Sequence, residues 1–286
     1  MTTSRERVAK AIKGEVPDKI PKGELLIEER VIKKFLGKDR VGFEERYKFI
    51  NELELDLVTI VASDLDEMVL GEIKKWVNTS LFVFALLDGP FETGLKNYGF
   101  QRYFLMFKKE RKELKDFIGR WEEKALREIH ELWKMKVDGI VLADDVAYNK
   151  GLLISPQDLK EYFWLSYEKI IAFGKKEGLF YFFHSDGNYR VILPDLINLG
   201  FAGIHCLERQ AGMEAEEIQK EFGEALCLWG HLTTEDIVKA KNPREKEQLK
   251  FSIDELGYRG RFILGTNTGL YDGIDLEGIK ILYRSF

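Results

Sequence analysis

The 286-residue sequence predicts an α/β protein folded as a single (β/α)8 TIM barrel over residues 1–286, on three observations. Eight short apolar runs recur along it, at 20–27, 55–63, 80–88, 137–144, 179–184, 201–206, 225–230 and 260–266. Between most of them lies a stretch with helical periodicity, and strands alternating with helices build parallel sheets from βαβ units. Eight strands in one uninterrupted series favour a single closed barrel over two domains, and the runner-up, an open doubly wound sheet, would want a G-x-G-x-x-G turn after an early run, which is not present.

The elements follow in order. MTTSRERVAKAIKG starts the chain as a charged amphipathic helix, not as a signal segment. In ERKELKDFIGRWEEKALREIHELWKMK the residues Leu114, Phe117, Ile118, Trp121, Ala125, Ile129, Leu132 and Trp133 recur at three- and four-residue steps, which predicts a long helix with one buried face. Just before it, Tyr98, Phe100, Tyr103, Phe104 and Phe107 form an aromatic stripe suited to core or lid. Ser155-Pro156 opens another helix, with a capping serine and a proline in the first turn. A shorter helix spans 213–222 and Gly223 stops it.

Composition narrows the function classes. Hydrophobic residues make up 45%, enough for a large core, while mixed-sign charge at a net of −5 lacks the basic stripe that nucleic acid needs. No apolar span is long enough for a membrane, and two cysteines without CxxC spacing form no disulfide framework. The expectation is a cytoplasmic protein with a small-molecule substrate, in which a homodimer stays open.

Three of the four histidines end consecutive apolar runs: His184 in LFYFFHSDGN, His205 in FAGIHCLE and His231 in ALCLWGHL. If the runs are parallel strands of one barrel, these side chains gather at its C-terminal rim, where enzymes of this architecture keep their chemistry. Asp186 lies two residues after His184, on the same face of an extended chain. His184 and Asp186 are therefore a candidate metal or acid/base pair, with His231 as a third metal ligand. Against this stands the plainer reading of a histidine held by its loop, with Asp186 accepting backbone N–H groups.

His205 and Cys206 are adjacent, so a regular strand turns one toward the barrel and the other toward the helices, and they cannot ligate one ion together. His205 is a candidate pocket residue, Cys206 mainly a packing residue. Asp144 and Asp145 end the fourth run, one expected to face the mouth and one to support the loop. Asn188 in the turn after the fifth run, Glu208 after the sixth and Asn267 in the GTNTGLYDG loop complete the candidate substrate contacts. That last loop either presents backbone amides to an anion or uses its glycines to turn tightly.

RERVAKAIKGEVPDKIP, LLDGPFETG, ISPQDLKEYFWLSYEKI, FFHSDGN, HCLERQAGMEAEEIQKEFGEALCLWG and GIDLEGIKILY, in this order, resemble the uroporphyrinogen decarboxylase superfamily over nearly the whole chain. The resemblance implies a TIM barrel and two activities: tetrapyrrole decarboxylation, or methyl transfer from a methylcobamide to a thiol. Ser63-Asp64 resembles the segment whose aspartate contacts pyrrole nitrogens in the decarboxylases, which makes Asp64 a candidate catalytic residue. The decarboxylases carry an arginine-rich segment after the first strand, where this chain reads KGELLIEERV, and their late histidine has no counterpart in GTNTGLYDG. The methyltransferases hold zinc through H-x-C on the fifth strand and a late cysteine. Here the string is His184-Ser185-Asp186, and residues 265–273 contain no cysteine.

Charge separates the branches. The expected rim carries Asp64, Asp66, Glu67, Asp88, Glu92, Asp144, Asp145, Asp186, Glu208 and Asp272 against Lys22, Arg190 and Arg209, which repels a polycarboxylate substrate. The expected function is transfer of a methyl group between a corrinoid on a partner protein and a small acceptor, with zinc assistance. A decarboxylating lyase and a non-catalytic corrinoid-binding protein are the alternatives.

Overall fold

The computed structural model describes residues 2–286. Its centre is a curled parallel sheet of seven strands: β1 (Leu57–Val61), β2 (Phe82–Asp88), β3 (Gly139–Ala143), β6 (Phe180–His184), β7 (Gly203–His205), β8 (Cys227–Trp229) and β9 (Phe262–Ile263), neighbours in that order. A small antiparallel hairpin, β4 (Ala147–Tyr148) with β5 (Gly151–Leu152), stands apart from it in the connection leaving β3. Seven of the eight apolar runs become sheet strands, because a near-continuous apolar run can pack one face against the lumen and the other against the surrounding helices.

The first run departs from expectation. Residues 20–27 form no ladder strand and meet the opposite end of the sheet through two isolated parallel bridges, Lys22 with Leu264 and Ile27 with Leu270. On the other side the Asp56 N–H donates to the Lys22 carbonyl at 2.7 Å, and the bare Cα of Gly23 packs on Leu57. Beyond that point no backbone hydrogen bond among the described residues joins 23–27 to β1. The Glu24 carboxyl is held by Thr266 and Tyr283, which draws the run toward β9 and leaves a cavity of about 230 Å3 facing β1. The architecture is therefore a barrel-like α/β fold with a seven-strand ladder.

Two apolar layers hold it. Inside the sheet Leu57, Phe82, Phe84, Val141, Phe182 and Trp229 fill the lumen, with Phe84 stacked on Trp229 at 5.5 Å between ring centres. Each such side chain contributes roughly 1.5–3 kcal/mol on burial. Val8 and Ile12 of the first helix, Ser4–Lys13, join this cluster and cover the N-terminal end of the lumen. That helix is fixed by a Thr3–Glu6 capping box and by Arg7, which bonds the buried Asp56 at 2.5 Å. The larger outer cluster lies between sheet and helices, including the long helix Arg111–Lys134 with Leu114, Phe117, Ile118, Trp121, Ala125, Ile129 and Leu132 buried. Tyr103 and Phe107 of the aromatic stripe belong to the same cluster. No helix is long and apolar enough to cross a membrane among the described residues.

Sheet register positions the site. Asp88, Ala143, His184 and His205 are successive register partners, so the C-terminal ends of β2, β3, β6 and β7 are level. Side chains just beyond those ends meet at one edge.

Candidate functional site

After β3 the chain presents Asp144 and Asp145, and the two turn apart. Asp144 is fully buried, accepts the Glu92 N–H at 2.8 Å and the Tyr167 hydroxyl, and packs on Gly89, where a Cβ would fall 2.2 Å from its Cγ. Burial pushes its carboxyl up to about 8, against the pull of both hydrogen bonds. It braces the connection leaving β2. Asp145 stays partly exposed, accepts the Asp186 N–H at 2.9 Å and lies 3.8 Å from His184 Nε2.

His184 ends β6 beside His205, which ends β7. As same-face register partners on neighbouring strands their rings must touch, and their Nδ1 atoms are 2.9 Å apart. One of the two nitrogens must donate and the other accept. Burial first, and then His184, hold His205 well below the ordinary imidazole range, so it is neutral. Its Nε2 lies against Gly230, where a Cβ would fall 2.3 Å away, and has no hydrogen-bond partner among the described residues.

Asp186 follows on the loop, in solvent contact yet crowded by acids. Desolvation pushes its carboxyl up, His184 and the Cys206 thiol oppose this, and Asp145 and Glu208 add to it. Cys206 is fully buried; the lost solvation and then Asp186, Glu208 and Asp145 hold its thiol far above the ordinary range. Glu208 accepts the Gly187 N–H at 2.8 Å. Gly187 has φ +78, and a Cβ there would fall 2.5 Å from the Tyr148 backbone on the hairpin, so only glycine fits. Asn188 shapes the same turn, its N–H donating to the Tyr148 carbonyl at 2.9 Å and its Oδ1 accepting from Arg190.

Two donor groups result: Asp145 with His184 and Asp186, and Asp186 with Cys206 and Glu208, with ligand atoms in each within 4.8 Å of one another. Imidazole nitrogen and carboxylate oxygens suit zinc, so the first group fits the metal implied by the resemblance to the methyltransferases. The donors differ from the expected trio. His231 is in neither group: it is buried, its ring packs on Phe262 at 5.1 Å, and burial pushes it down to about 4. Gly230 at φ +78 breaks the strand alternation just before it, which turns His231 away from its expected inward position. Asp145 stands in its place, and Cys206, read from sequence as packing, lies among the donors. A glutamate two residues beyond the cysteine was the available signal, but the ladder ends at His205, so strand parity did not apply past it.

Asp64 is also outside both groups. Its side chain is 93% exposed and pairs at 2.9 Å with Lys124 on the long outer helix. Asn267 and Glu208 line a rim cleft of about 290 Å3 together with Thr233, Thr234 and Thr268, and the Asn267 Oδ1 is buried without a partner among the described residues. The acidic balance expected for the rim is reduced by lysines that sequence position did not reveal: Lys124 at Asp64, Lys96 at Asp88 and Lys34 at Asp272. Lys22 is not at the rim. It is fully buried, donates to the Tyr283 and Phe286 carbonyls, and is pushed down to about 8 by desolvation.

Among solved structures, the chain resembles a methyltransferase from Methanosarcina mazei at 17% identity, covering all of this chain (100%) and 98% of that one with a TM-score of 0.74. It also resembles a D-psicose 3-epimerase from Clostridium cellulolyticum H10 at 10% identity, over 86% of this chain and 92% of that one, with a TM-score of 0.51. At these identities the likeness is one of fold. No curated protein sequence matches the chain. The uroporphyrinogen decarboxylase (URO-D) family model matches residues 68–286, most of the chain and all of the donor residues, and the chain belongs to that family.

Proposed function

We propose that the protein transfers a methyl group between a corrinoid carried on a partner protein and a small acceptor, at a metal held by Asp145, His184 and Asp186. The observation that carries this reading is the imidazole–carboxylate group at the level ends of β3 and β6, on a fold shared with a methyltransferase. Zinc bound there would lower the acceptor's pKa and fix its position. His205 accepts the His184 Nδ1–H in this reading, which leaves the His184 Nε2 lone pair toward Asp145. Glu208 and Asn267 orient the acceptor from the adjoining cleft. The segment 20–27 serves as the eighth wall of the barrel, joined to the sheet by its bridges to the stretch after β9.

The lyase alternative has less support. Asp64, its key residue, is tied to Lys124, and two of the three cations at the expected rim are engaged elsewhere: Lys22 is buried and Arg190 bonds Glu217 and Glu221, each at 2.8 Å, which leaves Arg209 alone in the rim cleft. The test combines metal and turnover. Protein purified without chelator is expected to hold zinc by elemental analysis, to lose the ion at Asp145, His184 and Asp186 in His184→Ala and to keep it in His130→Ala, since His130 is on the outer helix against Trp133 and Phe173. Zinc-loaded protein is expected to demethylate methylcobalamin in the presence of a thiol such as coenzyme M. No metal after zinc soaking, or anaerobic uroporphyrinogen decarboxylation at enzyme-like rates, overturns the reading.

A further inference from the structure

Asp145 and His184 leave a second donor set standing beside them. Asp186, Cys206 and Glu208 bring two carboxylate oxygens and one sulfur within 4.8 Å of one another, and the two groups share Asp186 without merging into one set of five. A zinc-like ion holds sulfur at ~2.3 Å and nitrogen or oxygen at ~2.0–2.2 Å, so two donors on one ion stand at most ~4.5 Å apart. Donors spread more widely belong to two positions. A carboxylate with two oxygens can serve both, as it does in centres whose ions lie ~3.5–4 Å apart.

We propose that this mouth holds two divalent cations bridged by Asp186, one on Asp145 and His184 and a second, thiophilic one on Cys206 and Glu208. A sulfur and two oxygens select a borderline ion of the zinc type over magnesium or calcium. The surroundings support a cation at this point. Cys206 is fully buried beside three acids, whereas the neighbouring Arg190 is engaged by Glu217 and Glu221 and Arg209 is exposed. The ligands are also held in place: the Tyr189 hydroxyl bonds the Cys206 carbonyl at 2.8 Å, and the Gly187 N–H fixes Glu208. Asp186 is open to solvent, which gives an ion its way in. On binding, the Cys206 S–H bond breaks, its proton passes to solvent, and the sulfur lone pair forms the bond to the ion.

The second position rests on the proposed methyl-transfer site through the shared Asp186, but its test reads a second equivalent and a thiolate band that an ion at Asp145 and His184 alone would not give, whereas methylcobalamin turnover tests the methyl-transfer reading, so the two can fail separately. Chelator-stripped full-length protein is titrated with Co2+. Two equivalents are expected to bind, with a near-ultraviolet thiolate-to-cobalt charge-transfer band and about one proton released with the thiolate-bound ion. Cys206→Ser should remove the band and one equivalent, while His184→Ala should remove the other equivalent and keep the band. Glu208→Gln changes a partly exposed side chain, so it tests the site without emptying the core, and it should weaken the band-forming ion at least tenfold. A single equivalent, a wild-type chain without the band, or a band lost equally in His184→Ala and Cys206→Ser would each overturn the two-ion centre.

Discussion

Asp144 and Asp145 are consecutive acids with different surroundings, and substitution should separate them. Asp144 has no solvent and satisfies the Glu92 N–H and the Tyr167 hydroxyl, so Asp144→Ala leaves a buried hydroxyl and a part-buried N–H unpaired. The expected cost is about 2–4 kcal/mol of stability, measured by urea denaturation. Asp145→Asn should leave stability nearly unchanged, because the amide oxygen still accepts the Asp186 N–H. It should instead weaken metal binding by at least about 100-fold, since even residues one step removed from a metal typically contribute 10–100-fold. A variant of Asp145 that unfolds, or one of Asp144 that only loses metal, would exchange the two roles.

Among the elements, the β4–β5 hairpin and the loop 185–188 hold the site together. Asp186 and Gly187 donate successive N–H groups to Asp145 and Glu208, while the Tyr148 backbone lies against Gly187 on the outside. Gly187→Ala combines a left-handed φ with a backbone clash, for a cost of about 1–3 kcal/mol, and should displace Asp186 as well. The expected result is a lower Tm together with weaker metal binding. Gly119→Ala is the contrast: the glycine is in the long helix, a Cβ there meets nothing within 4 Å, and the change should stabilise by about 0.5–1 kcal/mol with metal affinity intact. Calorimetry and metal titration on both variants check this, and equal metal affinity in the two would remove the hairpin from the site's support.

For the whole molecule, Glu24 ties the first run, the loop after β9 and the C-terminal helix Leu276–Tyr283 into one network. Burial raises its carboxyl to about 7, opposed by its bonds to Thr266 and Tyr283. Between the ordinary glutamate range and about 7 the native chain keeps a proton that the unfolded chain has lost. Stability from this group therefore falls as pH rises through that window and levels off above it. Glu24→Gln has no proton to lose, so its deficit relative to the wild type should shrink by on the order of 2–3 kcal/mol between pH 5 and pH 8. Asp144 titrates in both proteins and cancels from the difference. Denaturant melts at the two pH values measure it, and a constant deficit would mean that the carboxyl titrates normally.

Element positions were legible from sequence because they rest on short-range pattern: the long helix runs from Arg111 to Lys134 as its periodicity requires, and Ser155 caps the helix Pro156–Tyr162. The ends of the apolar runs likewise placed His184, Asp186, Glu208 and the Asp144–Asp145 pair near one edge, and the family was readable from six ordered blocks. What happens beyond a strand end was not legible. There the direction of a side chain depends on turn dihedrals and on partners distant in sequence. Lys124 neutralises Asp64 from 60 residues away, Gly230 turns His231 aside, and Cys206 meets Asp186 across a loop. The same holds for residues 20–27, whose alternation reads as a strand. Their pairing was decided by Glu24, whose partners Thr266 and Tyr283 lie more than 240 residues along the chain and come within reach only in the folded chain.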